Sequence, residues 1–211
     1  VDYSQVISHS FEASGTSVII TLDGIATGFV DKNPILNALT LEQIDTSNNT
    51  DGIGTLTVTG RQINAGSIFT NGAFLVTNSG NSSITGAINN GATSVATFSK
   101  AGSGTLTLSG NNTYTGQTNI NAGTVSITHN NALGSADGAT IIASGASLSI
   151  SNNITSAENI TISGTGISSN GAIRNTANNN TLTGLITLAA NSEIQIDNGS
   201  SLTLNPTTGS A

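Results

Sequence analysis

Residues Gly102 to Ile127 read GSGTLTLSGNNTYTGQTNINAGTVSI, two alternating runs separated by a Gly-Asn-Asn break. In Thr105 to Leu108 and Thr124 to Ile127, Leu106, Leu108, Val125 and Ile127 fall on one side of a pleat, with Thr and Ser on the other. A shortened copy, GIGTLTVTGRQINAGSIFT, runs from Gly52 to Thr70. Gly60 stands three residues before Ile63 and Gly110 ten before Ile120, so the copies read as sharing strands and differing by a seven-residue excursion, NNTYTGQ. Strands that persist while a connection changes length are the habit of a repeat architecture.

Short alternating runs continue along the chain: Ser147–Ile150, Asn159–Ile162, Thr181–Leu182 with Leu185–Leu188, Glu193–Ile196 and Ser201–Leu204. Turn signals divide them, among them Asn89-Asn90-Gly91, Asn111-Asn112, Asn130-Asn131, Asn152-Asn153, Asn178-Asn179-Asn180 and Asn198-Gly199. Leu106 to Val125 is 19 residues and Val125 to Leu148 is 23, a spacing that fits one coil of a right-handed parallel β-helix. The expected architecture is all-β, about 8–10 coils with an apolar interior and Thr and Ser outside. Asn pairs would form amide ladders between coils. Hairpins are the competing reading, with Asp23-Gly24, Asp51-Gly52 and Asp137-Gly138 available as their turns.

Residues 1–50 are less regular and read as an N-terminal cap or imperfect first coil, with residues 51–211 forming the solenoid. Ser17 to Leu22 looks like a strand. Asn33-Pro34 offers a helix start, and Leu39 to Ile44 is alternatively another strand.

Composition supports this reading. Only 7% of the 211 residues are charged, against roughly 25% in an ordinary globular domain. Asn, Ser, Thr and Gly, all poor in helix interiors, supply about half the chain. The four basic residues (Lys32, Arg61, Lys100 and Arg174) are scattered in a chain of net charge −7, which leaves no footprint for nucleic acid or an anionic membrane. The chain has no Cys, which suits export through an oxidising compartment. Val1 to Ser10 lacks the basic start and apolar run of a signal peptide, so the chain is expected to be a cut-out.

No catalytic, cofactor-binding or metal-ligating set is expected, and no cofactor. His9 and His129 are 120 residues apart, and Ser144-Gly145 and Ser163-Gly164 lack a nucleophile's context. Between Asp51 and Asp137 there is no carboxylate, and Glu193 with Asp197 is the nearest approach to a polysaccharide-enzyme pair. Asp45 to Gly52 is rich in oxygen ligands but lacks an EF-hand's Gly and bidentate Glu, so it reads as a solvated loop. The Thr files (Thr55, Thr57 and Thr59; Thr105 and Thr107) admit an ice-binding or glycan-binding reading beside the plain one of strand preference. Tyr114, in the excursion, reads as a ring covering the mouth of a coil or as a partner contact.

Gly102 to Gly134 closely resembles the passenger-associated transport repeat of bacterial autotransporters. The resemblance rests on Gly102, Gly104, Leu106, Leu108, Gly110, Asn112, Tyr114, Gly116, Ile120, Asn121, Gly123 and Val125. It implies a right-handed β-helical passenger of type V secretion, surface-exposed or secreted through the outer membrane of a Gram-negative bacterium. It further implies a rod or stalk of an adhesin, or else an independent ligand-binding passenger; an enzyme or ice-binding solenoid is remote. The partners expected are the translocator β-barrel of the same polyprotein and a host-cell glycan or protein receptor. The passenger itself is expected to be a monomer.

Overall fold

The computed structural model describes the strands Ser17–Thr21 and Ala38–Asp45 and residues 55–206 apart from 71 and 92–94, with side chains from Leu56 onward. Every pairing among the described strands is parallel, so the hairpin alternative falls. The chain is a parallel β-solenoid. Its first sheet stacks eight strands in chain order: Ser17–Thr21, Thr55–Gly60, Ala73–Asn78, Thr97–Ala101, Thr118–Ile120, Thr140–Ile142, Ile160–Gly164 and Ile186–Ser192. The second sheet includes Ala38–Asp45, Gln62–Thr70, Ser82–Ile84, Thr105–Leu108, Thr124–Ile127, Ser147–Ile150, Ile173–Asn175 and Ile194–Ile196. A third sheet of Thr155–Ser156, Asn179–Leu182 and Ser201–Leu204 closes the later coils. Among the described residues no helix is long and apolar enough to cross a membrane.

Leu106 lies opposite Val125, and Val125 opposite Leu148, so the spacing read from sequence is the coil repeat itself. The solenoid makes about seven turns rather than the eight to ten expected. Long connections account for the difference. Leu56 to Phe74 is 18 residues, but Ser17 to Thr55 is 38 and Ile160 to Ile186 is 26.

Side chains one coil apart stack into inward files. In the first sheet one file runs Val58, Val76, Lys100, Ile120, Ile142, Ile162, Leu188. In the second, another runs Ala65, Ile84, Leu108, Ile127, Ile150, Asn175, Ile196. Outward files are mixed rather than uniform: Thr57, Leu75, Ser99, Asn119, Ile141, Thr161 and Thr187 stand in one register. That is not the regular threonine array an ice-binding face needs.

The equivalence between the two sequence copies needs correction. Thr55–Gly60 belongs to the first sheet, whereas Thr105–Leu108 belongs to the second. Alternation identifies a strand with one inward face but does not say which side of the coil it builds. The NNTYTGQ excursion supplies that information. It carries the chain from the second sheet back to the first as the coil's third side, with Asn112 and Tyr114 both buried.

The expected helix start at Asn33-Pro34 and most of the Asp45 to Gly52 loop lie outside the described residues.

Candidate functional site

Among the twelve motif residues, Leu106, Leu108, Ile120 and Val125 are fully buried at inward strand positions. Their pleat sets the direction, and the coils on either side exclude water. The glycines occupy turns where one coil passes close over the next. At Gly110 an added Cβ would strike the carbonyl of Gly86 in the preceding coil. Gly123 has φ +72° and its Cβ would meet the carbonyl oxygens of both Gly102 and Gly104, so shape and backbone conformation each require glycine there. Gly102, Gly104 and Gly116 stand in neighbouring turns. Asn121 is exposed and contributes its backbone, its N–H donating to the Lys100 carbonyl at 2.9 Å.

Asn112 ties three coils together. Its Oδ1 accepts from the Ile88 N–H at 2.8 Å, one coil back, and its Nδ2 donates to the Ala132 carbonyl at 2.5 Å, one coil forward. Asn180 repeats half of the device downstream: its Oδ1 accepts from Ile154 N–H at 2.8 Å, one coil back, while its Nδ2 donates to Asn175 Oδ1 and the Ala177 carbonyl in its own coil. Both positions read as turn residues in the sequence; here each faces the interior. Amide ladders are therefore the lesser part of the Asn chemistry. Asn131 Nδ2 does donate to Asn111 Oδ1 at 2.9 Å. Elsewhere the amide bonds the backbone of the adjoining coil, as when Asn130 accepts from Thr155 N–H, Asn178 from Asn152 N–H and Asn159 from Leu185 N–H.

Tyr114 is completely buried, its ring centroid 6.2 Å from that of Phe98. A partner cannot reach it. Thr118 donates to the Leu133 carbonyl at 3.1 Å, so its one hydroxyl proton is committed and the Tyr114 hydroxyl is the donor in their 2.6 Å bond. Burial pushes the phenol far above its usual range. One coil further on, Thr140 stands in register with Thr118 and donates to the Glu158 carboxyl at 2.9 Å. Burial pushes Glu158 up to about 8, which keeps it neutral at pH 7.

Two interior ionisable groups escaped the sequence reading. Lys100, one of the four scattered basic residues, is fully buried between Val76 and Ile120 in its file. Its Nζ donates to the carbonyls of Ala101, Gly102 and Ala122 at 2.6, 2.9 and 3.2 Å, and burial lowers its pKa to about 8. The signal was present: Phe98 and Lys100 share one phase of the alternation. Glu158 lies in a corner without alternation and gave no such signal.

Of the carboxylates Glu193 and Asp197, the second has a fixed partner. Asp197 is held by Arg174 through two 2.9 Å bonds, which keep its carboxyl below the usual range. His129 accepts from the Asn131 N–H within its own loop, and His9 lies outside the described residues. Among the described residues no group of three or more His, Cys, Asp or Glu could hold a metal ion.

Residues 98–127 match the family model of the passenger-associated-transport-repeat. This stretch is a transport repeat. It begins four residues before Gly102, so it takes in Phe98 and the buried Lys100, and it stops at Ile127, seven short of Gly134. No curated protein and no solved structure matches the chain. Transport repeat and β-solenoid together support an autotransporter passenger. The repeat's signature residues are those that let successive coils approach, seal and stitch to one another.

Proposed function

We propose that this chain is a non-catalytic rod or stalk of a surface-exposed or secreted passenger, and that its transport repeat supports coil-by-coil folding during passage through the outer membrane. The carrying observation is Asn112, whose two amide bonds join the coil before and the coil after its own. A chain emerging through its translocator β-barrel has no ATP to draw on outside the membrane. Stepwise stacking, in which each coil needs mainly its nearest neighbours, can bias motion outward. The geometry favours this over an independent glycan-binding role. Of the four rings whose side chains are described, Phe74, Phe98 and Tyr114 are buried and Phe69 is half-buried, so none stands fully open for a sugar to stack on.

The test fuses the chain to a translocator and compares surface display of the parent with Asn112→Ala. Loss of display while targeting to the barrel persists supports the proposal; undiminished display together with normal melting counts against it. Strong binding of the isolated chain on a glycan array favours the ligand-binding reading instead.

A further inference from the structure

Three Asn-Gly pairs lie wholly within the described residues: Asn90-Gly91, Asn170-Gly171 and Asn198-Gly199. Such a pair carries its own nucleophile, because the glycine's peptide nitrogen can approach the asparagine side-chain carbonyl with no Cβ in the way. The structure disarms two of them. Gly91 N–H donates to the Thr70 carbonyl at 2.6 Å, while Asn90 Oδ1 accepts from Ala96 and Thr115 N–H and its Nδ2 donates to Thr115. Asn170 is exposed, but Gly171 is buried and its N–H donates to the Thr165 carbonyl at 2.8 Å.

Asn198-Gly199 differs from both at its glycine nitrogen. Both residues are exposed, and among the described residues neither the Asn198 amide nor the Gly199 N–H makes a hydrogen bond. Apart from its chain neighbours, no described atom lies within 4 Å of where a Cβ on Gly199 would stand, so no neighbouring coil packs against it there. The Asp197–Ser200 turn around it is closed by two bonds to the Asp197 carbonyl, from Ser200 N–H at 3.1 Å and from Ser200 Oγ at 2.7 Å, and neither uses the Asn198 amide or the Gly199 N–H.

We propose that Asn198 is a self-modification site, deamidating through a succinimide while the chain is folded. The Gly199 nitrogen loses its proton and bonds to Asn198 Cγ. The Cγ–NH2 bond breaks and ammonia leaves with that proton. Water then opens the ring at either carbonyl, giving aspartate or isoaspartate; nothing is oxidised or reduced. The product carries one more negative charge. By the isoaspartate route it also has an extra methylene in the backbone leading into Ser201–Leu204.

The experiment incubates the native 211-residue chain in mildly alkaline buffer and follows each pair by peptide mass mapping. The Asn198 peptide should gain the mass of NH2-to-OH exchange and split into two products about tenfold or more faster than the Asn90 and Asn170 peptides, since those N–H groups must first break a bond. In denaturant the three rates should converge. Asn198→Gln, a surface change whose fold is checked by circular dichroism, should abolish the gain in that peptide. Equal native rates at the three pairs, conversion of Asn198 only in the unfolded chain, or a mass gain persisting in N198Q would each overturn the proposal.

Discussion

Leu106 and Leu188 both sit at inward positions of their strands, yet Leu106 is 0% exposed and Leu188 is 62% exposed. The transport repeat has a coil stacked on each side. The coil spanning Ile186 to Leu204 has a described neighbour on one side only, and Ile196 and Leu204 are 49% and 47% exposed there. In a solenoid the pleat chooses a side chain's direction, but the next coil decides whether water is removed from it. The two regions share a residue pattern and differ in what that pattern is worth.

The largest expected effect follows directly. Leu106→Ala should lower stability by about 2–5 kcal/mol, because it opens a cavity between filled layers. Leu188→Ala should cost well under half as much. Denaturant melts of the two variants measure this, and equal losses would mean that coil stacking does not govern burial. Asn112→Ala comes next, at about 1–3 kcal/mol, since it strands the Ile88 N–H and the Ala132 carbonyl inside the core. A loss confined to local hydrogen exchange, with no change in the global melt, would show that Asn112 does not couple coils.

How much of this was legible depended on which residues faced inward. Thr105–Leu108, Thr124–Ile127 and Ser147–Ile150 alternate cleanly and were readable to the residue. Thr97–Ala101, Thr118–Ile120, Thr140–Ile142 and Ile173–Asn175 were not, and each places a polar group inside: Lys100, Thr118, Thr140 or Asn175. Those groups are tolerated because a turn carbonyl, a carboxyl or an amide from the same or a neighbouring coil satisfies them. A single sequence carries no mark of a partner some twenty residues away. The motif glycines were legible as a pattern, but their reason, a carbonyl of another coil, was not.

Two buried ionisable groups make the interior pH-sensitive in opposite senses. Folding raises Glu158 from 4.5 to about 8, so the folded state holds that proton more tightly. Its contribution is full below about pH 4.5 and is lost as pH rises to about 8. Folding lowers Lys100 from 10.5 to about 8, so its unfavourable effect is full below about pH 8 and is relieved as pH climbs toward 10.5. Melting temperature should therefore pass through a shallow minimum near pH 8. Glu158→Gln should flatten the acid-side limb and spare the alkaline one. A Glu158→Gln profile parallel to the parent's would remove the carboxyl from the account.

The smallest effect sharpens the comparison from the other end. Arg174 and Asp197 join the last two described coils across the surface, with two 2.9 Å bonds between partly exposed groups. Water screens such a pair, and holding two side chains in one geometry offsets most of the attraction. Asp197→Asn should leave the melting temperature almost unchanged in moderate salt. If it instead lowers the melt as much as Leu188→Ala, the ion pair, not the apolar files, holds the Ile186 to Leu204 coil in place. The contrast with the transport repeat would then be one of mechanism: stacking where described coils lie on both sides, electrostatic pinning where a described coil lies on one side only.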